Sequence, residues 1–145
     1  MQSTLFYEPA RALISYRGSV SQSELAQELA GVTMLAYPNT FAETSCIAAM
    51  EALAAGLCVV SSDLGALPET CGAWARLVPP VGKDRTHEQF AVDFARHVDH
   101  ALNELQSDHS RWFERAFEQS QAINKICTWD IRATQWHEAA ERWLS

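Results

Sequence analysis

The amino-acid sequence predicts an α/β fold, with a parallel sheet of about four strands, flanking helices and a helical C-terminal third. Short, wholly apolar runs alternate with helix-like segments as far as about residue 80. Strands of that character are typical of a parallel sheet covered on both faces. From about residue 86 to residue 145 only helical periodicity remains. The length of 145 residues corresponds to a single domain.

Four apolar runs are the predicted strands. They are residues 13–16, 32–37, 57–61 and 75–78. Turn-forming residues end them, with Gly18 after the first run and Pro38 after the second. The first strand is expected at an open edge of the sheet, where unpaired backbone groups would favour a homodimer.

Helix boundaries are visible as capping patterns. The two capping boxes are Ser21 with Glu24 and Thr86 with Gln89. A helix over about residues 45–55 is expected to end at Gly56, because glycine readily adopts the left-handed conformation that follows a helix. Pro68 and Glu69 suit the first turn of a short helix.

Apolar residues recur every three or four positions in the C-terminal third. The three stripes are Phe90, Phe94, Val98, Ala101 and Leu105; Trp112, Ala116 and Ile123, with Phe113 and Phe117 beside them; and Trp129, Ala133, Trp136, Ala140 and Trp143. Aromatic side chains could also stack on a ligand, but this spacing favours packing against a core.

Charge and composition exclude several classes of protein. Eleven Lys and Arg against 18 Asp and Glu give a net charge of −7, and the basic residues are scattered, so nucleic-acid binding is not expected. No apolar run approaches the ~20 residues of a membrane span, and the N-terminus does not resemble a signal peptide. The cysteines form no CxxC pair. Reduced thiols in a cytoplasmic protein are therefore expected.

The strongest candidate for chemistry is a pair of acidic residues, Glu43 and Glu51, with seven residues between them. Glu43 is expected in the loop that leaves a strand, and Glu51 inside the following helix. At ~1.5 Å rise per residue the two are separated by on the order of 10–12 Å. That separation suits the two ends of one extended ligand. A pair of carboxylates that acts on one bond would be closer, at roughly 5–9.5 Å.

The residues between the two glutamates predict an anion site. Thr44, Ser45 and Cys46 precede the helix, and free backbone N–H groups at a helix N-terminus attract anions. A diphosphate could bind there without a basic cluster. In open parallel sheets, ligands bind beyond the carboxyl ends of the strands, where this loop is expected.

These motifs resemble the nucleotide-sugar-binding domain of the retaining family 4 (group 1) glycosyltransferases, which have the two-domain GT-B fold with Rossmann-like sheets. Glu43 and Glu51 match the two glutamates of the E-x7-E motif of that family. Residues 51–56 match its alanine-rich helix end, and residues 65–69 match its Gly-Gly/Ala-Leu-Pro-Glu loop. The resemblance extends over about residues 16–84.

The resemblance implies roles for the matching residues. Glu43 is expected to bind hydroxyls of the transferred sugar and to stabilise the oxocarbenium-like state, as the catalytic residue. Glu51 is expected to accept hydrogen bonds from the ribose. The other expected donor-binding positions are Thr44, Ser45, Cys46, Ile47, Gly65 and Ala66. The family requires no metal, so no cofactor and no metal ligand are expected, and the donor is a UDP-, GDP- or ADP-sugar.

The resemblance also implies that residues 1–145 are part of a C-terminal donor-binding domain. Upstream basic residues and an amino-terminal acceptor domain would then be partners of this chain, which alone would be inactive. Thr44 and Cys46 stand where family members commonly have glycine. Two alternatives stay open: a non-catalytic structural or interaction module with the same fold, and a related enzyme such as a nucleotide-sugar epimerase.

Simpler interpretations also stay open for individual residues. Each glutamate of the pair could be a solvated surface residue. Cys46 could be a nucleophile, because a helix N-terminus lowers the pKa of a thiol, but a buried thiol is the plainer interpretation. Asp63 and Glu69 could cap the short helix after them or contact the donor. Lys83 could bind a phosphate or be a solvated lysine. His97 and His100 could be a metal pair or ordinary surface residues.

Overall fold

The computed structural model describes residues 13–144, which form a parallel sheet and six helices. The strands are β1 (Met34–Tyr37), β2 (Cys58–Ser62) and β3 (Arg76–Val78). The helices are α1 (Gln22–Leu29), α2 (Ile47–Ala54), α3 (Leu67–Cys71), α4 (His87–Ser107), α5 (His109–Ile126) and α6 (Trp129–Leu144). None of these helices is long and apolar enough to cross a bilayer. The predicted α/β fold with a helical C-terminal part is confirmed.

The sheet has β2 at its centre, with β1 and β3 both parallel to it. Val59 and Val60 in β2 are completely buried. Because successive side chains of a strand point to opposite faces, these two valines lie on different sides of the sheet. The continuous apolar run of β2 therefore reflects burial on both faces, as its sequence predicts.

Each face of the sheet has its own apolar cluster. The buried members of the first cluster come mainly from β2, α2, α3 and α5, and they are Cys46, Ala49, Ala52, Leu53, Leu57, Val59, Leu67, Cys71 and Ile123. The second consists of Val60, Val78, Phe90 and Phe94, from β2, β3 and α4. Helices α2 and α4 thus cover opposite faces of the sheet.

The predicted helix boundaries are confirmed where local chemistry sets them. Both capping boxes form, at the start of α1 and of α4. Gly56 follows α2 with φ of +80°. A Cβ atom there would lie 3.1 Å from the carbonyl oxygen of Ala116, so a glycine at this position also allows α5 to approach closely.

The predicted strand at residues 13–16 is wrong. This segment has no regular secondary structure, and the side chains of Leu13 and Tyr16 are 88% and 93% exposed. An apolar run becomes a strand only where a neighbouring strand binds its backbone, and these residues have no such neighbour among residues 13–144. The described sheet therefore has three strands instead of about four, with β1 and β3 as its edge strands.

The predicted burial of the aromatic stripes is only partly correct. Phe90 and Phe94 of α4 are buried, but Phe113 and Phe117 of α5 are exposed. In α6 no residue is buried, and its tryptophans at positions 129, 136 and 143 are 85%, 66% and 74% exposed. Periodicity identifies the apolar face of a helix, but it does not show whether another element covers that face.

Candidate functional site

The two loops singled out by their motifs lie at the carboxyl edge of the sheet. Residues 38–46 follow β1, and residues 63–66 follow β2. The two strands are parallel neighbours, with Tyr37 opposite Ser61. Their carboxyl ends therefore lie side by side, at the edge where ligands bind in open α/β sheets.

Gly65 joins the two loops through the backbone of Glu43. The N–H of Ala66 donates a hydrogen bond of 2.9 Å to the carbonyl oxygen of Glu43. A Cβ atom at position 65 would lie 2.7 Å from that oxygen and 2.8 Å from the Glu43 nitrogen. Gly65 also has φ of +59°, in the left-handed region. The loop sequence therefore requires glycine for contact with Glu43.

The side chain of Glu43 is oriented by a buried asparagine. The Asn39 side-chain nitrogen donates to Glu43 Oε1 at 2.6 Å, and Asn39 Oδ1 accepts a hydrogen bond of 3.0 Å from the Phe41 N–H. Only 4% of Asn39 is exposed. In the sequence Asn39 indicates no more than a turn after Pro38, so this role was not predicted. An asparagine that bonds the N–H two residues later is a recognisable Asx turn.

Two weak acids near Glu43 stay neutral. Burial, followed by the charge of Glu43, raises the pKa of the Tyr37 hydroxyl. Burial also raises the pKa of the Cys71 thiol to about 11, with smaller effects from Cys46 and Glu43. These effects favour the protonated form, so neither side chain carries charge at neutral pH. The carboxylate of Glu43 thus lies among neutral groups.

Cys46 is the N-cap residue of α2 and is only 3% exposed. Burial raises the pKa of its thiol, and Glu43 raises it further, whereas the N–H groups of Ala49 and Ala48 oppose the change. The thiol is therefore protonated at neutral pH, which argues against Cys46 as a nucleophile. The buried-thiol interpretation fits the structure.

The N-terminus of α2 is open to a ligand. The thiol of its N-cap residue, Cys46, is only a weak acceptor for the Ala48 and Ala49 N–H groups, and no acidic residue lies in the first turn. Thr44, Ser45 and Ile47 are exposed around it. The first N–H groups of a helix lack partners inside the helix and carry its positive dipole, so this end favours an anion.

Glu51 lies on the outer face of α2. Ile47 and Ala48, one turn earlier, are exposed, whereas Ala49, Ala52 and Leu53 are buried on the opposite face. The carboxylate of Glu51 makes no hydrogen bond or ion pair with any residue in the described range. The structure thus brings Glu43, Cys46, Gly65 and Ala66 together, and it leaves Glu51 half-exposed on the helix that begins beside them.

Ser62, at the carboxyl end of β2, also lies near this edge and was not predicted. It is completely buried, and its hydroxyl has no hydrogen-bond partner among residues 13–144. Its register partner is Val78 at the end of β3. The two consecutive serines that end the apolar run of β2 are the signal that could have identified it.

The other candidates have ordinary structural environments. His97 contacts the carbonyl oxygen of Asp93 at 2.8 Å, whereas His100 contacts Glu104 at 3.1 Å, so the two histidines are not brought to a common site. Lys83 is exposed in the loop before α4. No group of three or more metal-ligating side chains occurs in the part of the chain that the structure covers.

Comparison with known proteins identifies the family. A family model described as Glycosyl transferases group 1 matches residues 6–103, about two thirds of the chain. The match includes both loops and α2. Searches of curated proteins and of solved structures find no match. Because the family model covers most of the chain, including the whole described sheet, this chain belongs to the group 1 glycosyl transferases.

Proposed function

We propose that this chain binds the nucleotide-sugar donor of a retaining glycosyltransferase at the carboxyl edge of its sheet. The observation that carries the proposal is the contact between the two loops, in which Gly65 and Ala66 lie against the backbone of Glu43. This contact places one acidic side chain beside the open N-terminus of α2. Membership of the group 1 family supports a glycosyltransferase activity for the protein to which this chain belongs.

Glu43 is the proposed contact to the transferred sugar. Asn39 holds one carboxylate oxygen at 2.6 Å, and the Tyr37 hydroxyl and Cys46 thiol lie beside the same carboxylate. A carboxylate has about four acceptor positions, so Glu43 keeps acceptor capacity for sugar hydroxyls. The negative charge would also stabilise the oxocarbenium-like transition state. Because Tyr37, Cys46 and Cys71 stay neutral, none of them adds a further negative charge beside this carboxylate.

Glu51 is the proposed contact to the ribose hydroxyls. Its carboxylate is half-exposed and has no partner among residues 13–144, so it can accept hydrogen bonds without losing others. Between the two glutamates, the N–H groups near Ser45, Cys46 and Ile47 would bind the sugar or diphosphate oxygens. These donors would stabilise the leaving group electrostatically, without a metal cofactor.

Further parts of the proposal concern the whole enzyme. We expect an amino-terminal domain to supply the acceptor site, so that this chain alone binds donor without turnover. Its location would be the cytoplasm, in keeping with four free cysteines in the described structure. The open edge of β1 would favour a homodimer.

The experiment is calorimetric titration of the protein with a panel of UDP-, GDP- and ADP-sugars. At least one donor should bind, and Glu51→Ala should weaken it about tenfold, because charge-assisted hydrogen bonds are lost. Glu138→Ala, on the exposed surface of α6, is the matched control and should bind as the wild type does. Unchanged affinity in Glu51→Ala would contradict the assignment. Absence of binding by every donor would favour the non-catalytic module.

A further inference from the structure

A cavity lies at the amino edge of the sheet, opposite the loops of the proposed donor site. Its volume is about 620 Å³. Cys58 and Arg76, the first residues of β2 and β3, form one wall, and α5 forms another. The size falls within the range of small-molecule sites, roughly 300–1,000 Å³. Nothing in the E-x7-E motif or its loops accounts for this cavity.

The charged residues that line the cavity are three arginines and two acids, namely Arg76, Arg111, Arg115, Glu104 and Asp108. Arg76 forms an ion pair with Glu104, and Arg115 donates a hydrogen bond of 3.3 Å to the Ala73 carbonyl oxygen. The guanidinium of Arg111 has no partner among the described residues, although its backbone N–H donates to Asp108 at 3.0 Å. Because Glu104 pairs with Arg76 and Asp108 caps α5, neither Arg111 nor Arg115 has a carboxylate partner among residues 13–144. A guanidinium binds phosphate through two parallel hydrogen bonds.

Two tryptophans add flat apolar surface beside these charges. Trp74 and Trp112 both line the cavity, and both are half-exposed. The guanidinium of Arg115 lies 5.9 Å from the centre of the Trp74 ring, so charge and aromatic surface are already adjacent. Indole rings stack on other rings, including nucleobases.

Gln119 supplies an oriented polar group at the same cavity. Its side-chain nitrogen donates to the carbonyl oxygens of Leu53 at 3.0 Å and of Leu57 at 2.9 Å. These bonds fix an amide that is only 3% exposed. Its oxygen accepts no hydrogen bond from residues 13–144, which leaves an acceptor for a ligand hydroxyl or amine.

We propose that this cavity binds a small phosphate monoester attached to a ring, with Arg111 and Arg115 at the phosphate and Trp112 against the ring. Sugar phosphates and nucleoside monophosphates share this chemistry. The site is separate from the proposed donor site, because the two lie at opposite edges of the parallel sheet. Its occupation does not depend on whether the donor proposal is correct.

The experiment is calorimetric titration of the 145-residue protein with glucose 6-phosphate and with uridine monophosphate. Inorganic phosphate, glucose and uridine are titrated alongside. At least one ring-bearing phosphate should bind about tenfold or more tightly than inorganic phosphate. Arg111→Gln should weaken that binding about tenfold, as expected for the loss of a hydrogen-bonded charge. Arg132→Gln on α6 is the matched control and should leave the affinity unchanged.

Two further measurements assign the bound molecule and its position. Whichever of the two compounds binds more tightly shows whether the ligand is a sugar phosphate or a nucleotide. Because a nucleotide could also occupy the donor site, the titration is repeated with Glu51→Ala, which should not affect the amino-edge cavity. Ligand should also slow alkylation of Cys58, measured by mass spectrometry of the modified peptides. Cys127, which is half-buried like Cys58 but does not line the cavity, serves as the internal reference.

Three results would overturn the proposal. The first is that neither ring-bearing phosphate binds. The second is that inorganic phosphate binds as tightly as they do, because the rings then contribute nothing. The third is evidence that the ligand lies elsewhere, given either by wild-type affinity in Arg111→Gln or by unprotected Cys58.

Discussion

The α-carbon of Gly65 faces the backbone of Glu43 so closely that a methyl group between them would lie 2.7 Å from the Glu43 carbonyl oxygen. This contact joins the loops after two neighbouring strands. The position of the first glutamate in the motif therefore depends on a glycine in the loop after the next strand. Stability and ligand binding should both respond to this contact.

Gly65→Ala should reduce the free energy of unfolding by about 2–4 kcal/mol, because it combines a left-handed backbone with a steric clash. Gly18→Ala is the matched control. Gly18 also has positive φ, +67°, but a Cβ atom at this position would meet no other atom within 4 Å. The Gly18→Ala variant should lose only about 1–2 kcal/mol of its free energy of unfolding. Urea denaturation of both variants measures the difference, and equal losses would contradict a steric role for Glu43.

Asn39→Ala should destabilise the protein by about 1.5–3 kcal/mol, because a buried hydrogen bond to a carboxylate is lost. It should also weaken donor binding, since Glu43 is no longer oriented. Asn103→Ala provides the control, because Asn103 bonds Asp99 at 3.2 Å on an exposed surface. That variant should change stability by less than about 0.5 kcal/mol. Equal effects in urea denaturation would show that the Asn39 contact is unimportant.

Stability should fall as the pH rises from about 9 to about 11. The Cys71 thiol has a pKa of about 11 in the folded protein, above its ordinary value of 9.0. The unfolded chain therefore loses this proton first, so stability is complete below pH 9 and declines up to pH 11. Urea denaturation at a series of pH values measures the slope of the free energy of unfolding against pH. In Cys71→Ala the slope should be smaller, and an unchanged slope would exclude Cys71 as a cause.

Trp136→Ala should change the free energy of unfolding by less than about 0.5 kcal/mol, because this indole is exposed on α6. Phe94→Ala should cost about 3–5 kcal/mol, because Phe94 belongs to the cluster between β2 and α4. Urea denaturation compares the two. A large loss in Trp136→Ala would mean that another surface covers α6 in solution.

If the open edge of β1 mediates a homodimer, Ala36→Lys should shift the protein toward monomer, because a lysine on an edge strand opposes further pairing. Ala36 is exposed, and its register partner in β2 is Val60. Ala95→Lys, on the exposed surface of α4, is the control. Light scattering across a concentration series measures the mass. A wild-type monomer at every concentration would contradict the dimer.

The sequence predicts those parts of the fold that depend on local chemistry. The capping boxes at Ser21 and Thr86 form because their bonds join residues three positions apart. Strand β2 is predicted because its burial on both faces gives a continuous apolar run. The predictions for residues 13–16 and for the tryptophans of α6 are wrong. An apolar pattern does not show whether another element is present to cover it.

In the candidate site, too, the sequence predicts individual residues but not the contacts between distant parts of the chain. Glu43 and Gly65 were each singled out from motifs, but their contact arises from the packing of two loops and is not visible in the spacing. The role of Asn39 is not visible in the sequence, because its contact with Glu43 depends on how the chain turns after β1. The arginines and tryptophans of the amino-edge cavity lie on separate elements, so no motif unites them.

Val59 and Val60 of β2 belong to different apolar clusters, one on each face of the sheet. This arrangement affects the dynamics of the molecule. Displacing β2 exposes both clusters at once, whereas displacing α2 or α4 uncovers one of them. Amide protons of β2 should therefore exchange with deuterium only through global unfolding. Those of α6, which has no buried residue, should exchange through local opening while the sheet stays intact.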